Sequence, residues 1–171
     1  MNNLREQLER QLAGRVCFMG LGNVDYGDDG FGVRLAEELK AAGIPDVIIA
    51  GTVPDRWISR LVGFDHVVFL DAVEFGGAPG SAVFLDSAEI AARFPQISTH
   101  KISVGVLSRW IEVGGSTKAW LLGVQPESLK PAQQLTPTLQ LTLNALHELI
   151  CSLEIASDPT SDCVPVEKAN A

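Results

Sequence analysis

Apolar residues recur along this chain with two different periods, and the switching between them predicts its elements. Leu4, Leu8 and Leu12 stand four apart in a polar opening, which predicts a helix over Leu4 to Leu12, with Asn2 or Asn3 as its cap and Glu6 placed to pair with Arg10. A continuous apolar run, Val16 to Met19, reads as a buried strand. Phe31, Leu35 and Leu39 restore helical spacing until Gly43 and Pro45 stop it. Val47 to Ala50 is then a second strand, Trp57 to Val62 a short helix, and His66 to Leu70 a third strand that ends on Asp71. Ser81 to Leu85 is short and follows Pro79 and Gly80, so it reads as an edge strand, antiparallel to its neighbours. Helices at Ser87 to Arg93 and Val104 to Val113 precede the last strand, Ala119 to Val124. Gln125 to Pro137 contains Pro126, Pro131 and Pro137 and reads as a long surface loop. Leu139, Leu143, Leu146, Ile150 and Leu153 mark an amphipathic closing helix, and the chain turns polar from Ser157. One domain over 1–156 with a flexible tail over 157–171 follows from this pattern.

Strands that alternate with helices predict an α/β fold with three layers: a mostly parallel, twisted sheet of about five strands, helices on both faces, and one antiparallel edge strand. In such sheets ligands bind outside the carboxyl ends of the strands, where the strand order reverses.

Composition narrows the function. The 171 residues are 46% hydrophobic and 20% charged, which suits one compact domain. Thirteen Lys and Arg against 21 Asp and Glu leave a charge of -8 with no basic cluster, which argues against nucleic acid as a partner. Cys17, Cys151 and Cys163 are odd in number and scattered, forming neither a zinc pattern nor a disulfide framework, and a reducing cytoplasm fits them. The polar amino terminus and the lack of a long apolar run point away from a membrane.

Candidate chemistry gathers after the first strand. Gly20, Gly22, Gly27, Gly30 and Gly32 surround Asp28 and Asp29, at the mouth of a helix beginning near Gly30. One carboxylate suffices for a cap, so the other has a further use. Asp71 ends the third strand and His100 follows the edge strand, so these side chains can converge on one rim. Two carboxylates and an imidazole suit a divalent transition metal and leave positions open, a catalytic rather than a structural pattern. His66, at the start of the third strand, and His147, on the closing helix, read as structural; Trp57, Trp110 and Trp120 read as core packing, and Cys17 as a small buried hydrophobe.

Several machines are excluded or demoted. Asp25 stands where a dinucleotide fingerprint has its third glycine, and no acidic residue ends the second strand to hold a ribose. Neither a P-loop nor a Gly-x-Ser-x-Gly elbow occurs. A receiver-like signalling domain would use Asp71 as phosphoacceptor, but a long glycine-rich loop precedes Asp28 and no lysine closes the last strand. That alternative and a non-catalytic metal-binding protein both stay open on the residues alone.

Gly20-Leu-Gly22-Asn23, Asp28-Asp29-Gly30-Phe-Gly32, Leu70-Asp71-Ala72 with Pro79-Gly80, Ser98-Thr99-His100 and Leu122-Gly123-Val124-Gln125-Pro126 together resemble the maturation endopeptidases of nickel-iron hydrogenases. Within them the chain looks most similar to the type that processes the large subunit in formate-hydrogenlyase-type complexes. The resemblance runs from about Arg15 to Leu153 and implies an endopeptidase that cuts the C-terminal extension from a nickel-loaded large-subunit precursor. It implies that Asp29, Asp71 and His100 are the catalytic, metal-contacting residues. The nickel then comes with the substrate, and no tightly bound cofactor of the protein's own is expected. The implied partner is the precursor alone, met by a cytoplasmic monomer, with Asp28 as cap and support. Asp25-Tyr26 departs from the family, which is commonly apolar there.

Overall fold

The computed structural model describes residues 2–94 and 103–153; His100, Cys163 and the 157–171 tail lie outside the described residues. In chain order the elements are α1 (Asn2–Gln11), β1 (Val16–Leu21), a 3-10 turn (Gly27–Gly30), α2 (Phe31–Ala41), β2 (Val47–Gly51), a 3-10 helix (Pro54–Leu61), β3 (His66–Ala72), β4 (Ala82–Asp86), α3 (Ser87–Arg93), α4 (Val104–Val113), β5 (Lys118–Val124) and α5 (Pro137–Cys151).

Side chains alternate across a strand, and in β1, β3 and β5 both sets are apolar, so the sheet is covered on both faces. Phe18, Val68, Leu70 and Leu122 meet α1, α2 and α5 through Leu8, Leu35, Leu39, Leu143 and Ile150. Their neighbours Cys17, Met19, Val67, Phe69 and Leu121 meet Leu61, Ile90, Leu107 and Ile111 on the other face. The five-stranded sheet has the order β2-β1-β3-β5-β4. β1, β2, β3 and β5 pair in parallel, and β4 runs antiparallel on β5 at the edge, as the sequence pattern predicts. From β1 the chain steps outward to β2 through α2, then returns past β1 to β3 through the 3-10 helix on the opposite face. Strand order therefore reverses between β1 and β3.

Four expectations are corrected, three of them here. The short helix expected over Trp57 to Val62 is a 3-10 helix that opens earlier, at Pro54, and ends at Leu61. Pro137 does not belong to the preceding loop: it is the first residue of α5, where its fixed φ suits a helix start, and Thr136 is the cap. Trp110 is not core, being 53% exposed. It comes one residue before the buried Ile111, about 100° further round the helix and out of the packed stripe.

Two polar side chains hold the loops over the carboxyl end of the sheet. Asp28 is fully buried, and its carboxylate accepts the backbone N–H groups of Glu127 (3.0 Å), Ser128 (3.0 Å) and Thr136 (2.7 Å) and the Thr136 hydroxyl (3.1 Å). The long loop after β5 is thereby tied to the loop after β1, and Gly27 N–H to Ala132 O (2.8 Å) and Ala132 N–H to Asp25 O (3.0 Å) join them a second time. Asp28 is thus not the expected helix cap: the α2 cap position is Gly30, and no side chain bonds there. Gln125 is the other clasp. Its side-chain oxygen accepts the N–H groups of Phe75, Gly76 and Gly77 at 3.0, 3.0 and 3.2 Å, fixing the loop that follows β3.

His66 works at the opposite end of the sheet, as its structural assignment expects. It is 8% exposed, and its Nδ1 accepts the Trp120 indole N–H (3.0 Å), which can only donate. The ring is therefore neutral, with Nε2–H donating to the Ala13 carbonyl (3.0 Å). Burial lowers its pKa from the ordinary value of 6.5, against the smaller upward pull of that carbonyl.

Asp28→Ala leaves part-buried donors without their acceptor and is expected to cost about 3 kcal/mol in urea denaturation; Gln125→Leu, which keeps the volume and loses the oxygen, is expected to cost about 2 kcal/mol. A loss below about 0.5 kcal/mol in either would contradict its role as a clasp. Because the folded state lowers the His66 pKa, the unfolded chain takes up its proton first. Stability contributed by neutral His66 is therefore present above pH 6.5 and lost as pH falls below it, and denaturation midpoints at pH 7.5 and 5.5 should fall less far apart in His66→Gln than in the native chain.

Candidate active site

The first β–α connection carries one carboxylate inward and the next outward along the rim. Backbone packs against backbone here. A Cβ on Gly22 would strike the Asp29 carbonyl, and a Cβ on Gly32 would strike the carbonyls of Leu70 and Leu21. The turn that bears Asp28 and Asp29 therefore sits directly over the ends of β1 and β3. Asp29 is half-buried, and its Oδ2 accepts the Asn23 N–H at 2.8 Å, a partner in its own loop rather than in the loop that Asp28 holds. Asp71 follows Leu70 near the end of β3, paired with Gly123 of β5, and is half-buried as well. Asp29 thus lies in the turn that follows β1 and Asp71 near the end of the adjacent parallel strand β3, and strand order reverses between these two strands.

The third expected member, His100, lies outside the described residues. Among the described residues no group of three or more His, Cys, Asp or Glu is gathered closely enough to hold a metal ion. Asp29 and Asp71 are brought to one rim, while His66 is held at the other end of the sheet and His147 lies on α5, 3.6 Å from the Cys151 sulfur.

Large apolar side chains stand exposed in the loops at this same end: Tyr26 after β1 (46%), Val53 after β2 (38%) and Leu129 after β5 (41%). Asp25, Glu74 and Glu127 add exposed negative charge among them. The rim therefore offers apolar and acidic contacts spread over several loops, as suits a protein surface better than a small ligand. A cleft of about 680 Å³ lies at the far end of the sheet instead, lined by Gln7, Glu89, Glu112, Thr117, Lys118 and Trp120, and it contains none of the rim carboxylates.

Two residues that organise the site carry no local sequence signal for that work. Asp28 bonds partners 99, 100 and 108 residues downstream, and Gln125 bonds partners 48 to 50 residues upstream. The one hint is compositional: a Gln set between an apolar strand and Pro126 needs a buried partner.

The arrangement has close parallels among known proteins. A family model for hydrogenase maturation proteases matches residues 33–153. The hydrogenase 2 maturation protease of Escherichia coli is 32% identical over 148 residues, covering 81% of this chain and 90% of that protein. The crystal structure of the NiFe hydrogenase maturation protease HycI from Thermococcus kodakarensis superposes with a TM-score of 0.74 at 29% identity, over 87% of this chain and 96% of that one. The maturating endopeptidase HybD from E. coli gives 0.69 at 28% identity, over 80% and 89%. With a doubly covered, mostly parallel sheet, and with the matched model spanning most of its length, the chain belongs to the hydrogenase maturation protease family and is a peptidase.

Proposed function

We propose that this peptidase removes the C-terminal extension from the nickel-loaded precursor of a nickel-iron hydrogenase large subunit, and that Asp29, Asp71 and His100 grip the nickel the substrate carries. The observation that supports this most is the placing of Asp29, in the turn that follows β1, and Asp71, near the end of β3, on adjacent parallel strand–loop units. Two carboxylates and an imidazole leave coordination positions for ligands from the precursor, so the metal ties the scissile peptide to the rim. Holding a peptide beside its catalytic groups lowers a barrier by several kcal/mol, about the scale of gains from orientation. Water is the attacking group in this scheme. Cys17 is no nucleophile: it is buried inside β1, and burial pushes its thiol up to about 12.

Tyr26, Val53 and Leu129 give the precursor apolar contacts around the metal. Cys17 and Cys151 are free thiols, which suits action in the cytoplasm, and no helix among the described residues is long and apolar enough to cross a membrane.

Incubation with nickel-loaded precursor is expected to produce a shortened large subunit, seen as a mobility shift, whereas nickel-free precursor stays uncut. Asp29→Ala, Asp71→Ala and His100→Ala are each expected to slow cleavage by about a hundredfold or more while leaving the denaturation midpoint near the native value. Cleavage at native rates by the Asp29 or His100 variant would remove those residues from the site.

A further inference from the structure

The two edges of the sheet are unlike. On one side β4 ends in Asp86 and has α1 packed against it. On the other, β2 reads Val-Ile-Ile-Ala-Gly, with no charge and no proline, and Val47, Ile48 and Ile49 are only half-buried. Natural edge strands are usually guarded by a lysine, a proline or a covering element, because their outward N–H and C=O groups template the pairing of another chain. Among the described residues no strand pairs with the outer side of β2.

Which groups face outward follows from the ladder. Phe18 N–H bonds the Asp46 carbonyl, so in a parallel pair Asp46, Ile48 and Ala50 turn toward β1 while Val47 and Ile49 direct their N–H and C=O groups away from it. At the carboxyl end this edge runs into the active site. The Gly51 carbonyl accepts the Gly22 N–H (3.1 Å), and Gly22 lies against the backbone of Asp29.

We propose that the outer edge of β2 is the docking strand for the precursor's C-terminal extension, which adds to the sheet as an extended segment before crossing the rim to the carboxylates. This rests on the precursor-processing role proposed above. Strands lie about 4.8 Å apart, so an added strand sits about 10 Å from β1, a gap that about three extended residues span. Main-chain bonds to Val47 and Ile49 supply grip without demanding a fixed sequence, and the apolar side chains flanking them favour alternating apolar residues in the guest.

The test is hydrogen exchange at single-residue resolution on the full chain, with nickel-loaded precursor in saturating excess and cleavage followed in the same mixture. The Val47 and Ile49 amides are expected to slow by about tenfold or more, while the Ile48 and Ala50 amides, already turned to β1, change little. Ile49→Pro, which removes an outward donor and fills its place, is expected to raise KM by roughly fivefold with kcat nearly unchanged. Cleavage without protection of Val47 and Ile49 would overturn the docking strand and leave the peptidase role standing. Protection that grows with protein concentration in the absence of precursor would overturn it in favour of a second copy on this edge. Absence of cleavage would overturn the precursor role and the docking strand with it.

Discussion

No side chain fits between the first turn of α2 and the ends of β1 and β3, and the rest of the rim is arranged around that contact. At Gly32 a single methyl would run into the Leu70 and Leu21 carbonyls, and at Gly22 into the carbonyl of Asp29. The left-handed backbone at Gly22, with φ of 114°, lets the chain leave β1 and double back over the strand ends. Because main chain rests on main chain, the Asp28–Asp29 turn cannot drift from the switch point of the sheet without lifting α2 off its core.

Neighbouring carboxylates in that turn do different work because the backbone aims them differently. Asp28 faces inward, where four donors from the loop after β5 surround it and water is excluded, so its charge acts as an internal staple. Asp29 is only half-buried, and its carboxylate accepts the Asn23 N–H within its own loop. A receiver-like pairing of both acidic residues with Asp71 is at odds with this division, since the oxygens of Asp28 are already engaged. Gln125 stands where that alternative would need a lysine and holds the loop after β3 instead.

Much of the fold was legible from local periodicity. The continuous apolar runs Val16 to Met19 and His66 to Leu70, and the helical spacing of Leu139 to Ile150, survive folding because burial on both faces decides the first two and burial of one face the third. The antiparallel edge was readable from Pro79 and a short run. What depended on distant partners was not. Asp28 looked like a helix cap because its acceptors' true donors lie a hundred residues away in sequence. Trp110 looked like core because apolar character alone does not give its angle around α4. Asp29 and Asp71 were legible as candidates for a topological reason: one follows the parallel strand β1, the other lies near the end of β3, and such strands bring their carboxyl ends to one side.

The central claim is that Asp29, Asp71 and His100 complete the coordination of a nickel ion that arrives with the precursor. X-ray absorption at the nickel edge tests it most directly, on nickel-loaded precursor made uncleavable at its scissile bond, alone and bound to this protein. The account predicts that binding adds nitrogen and oxygen scatterers to the metal's inner sphere, and that the Asp29→Ala protein adds fewer. An unchanged nickel spectrum in a stable complex would contradict it.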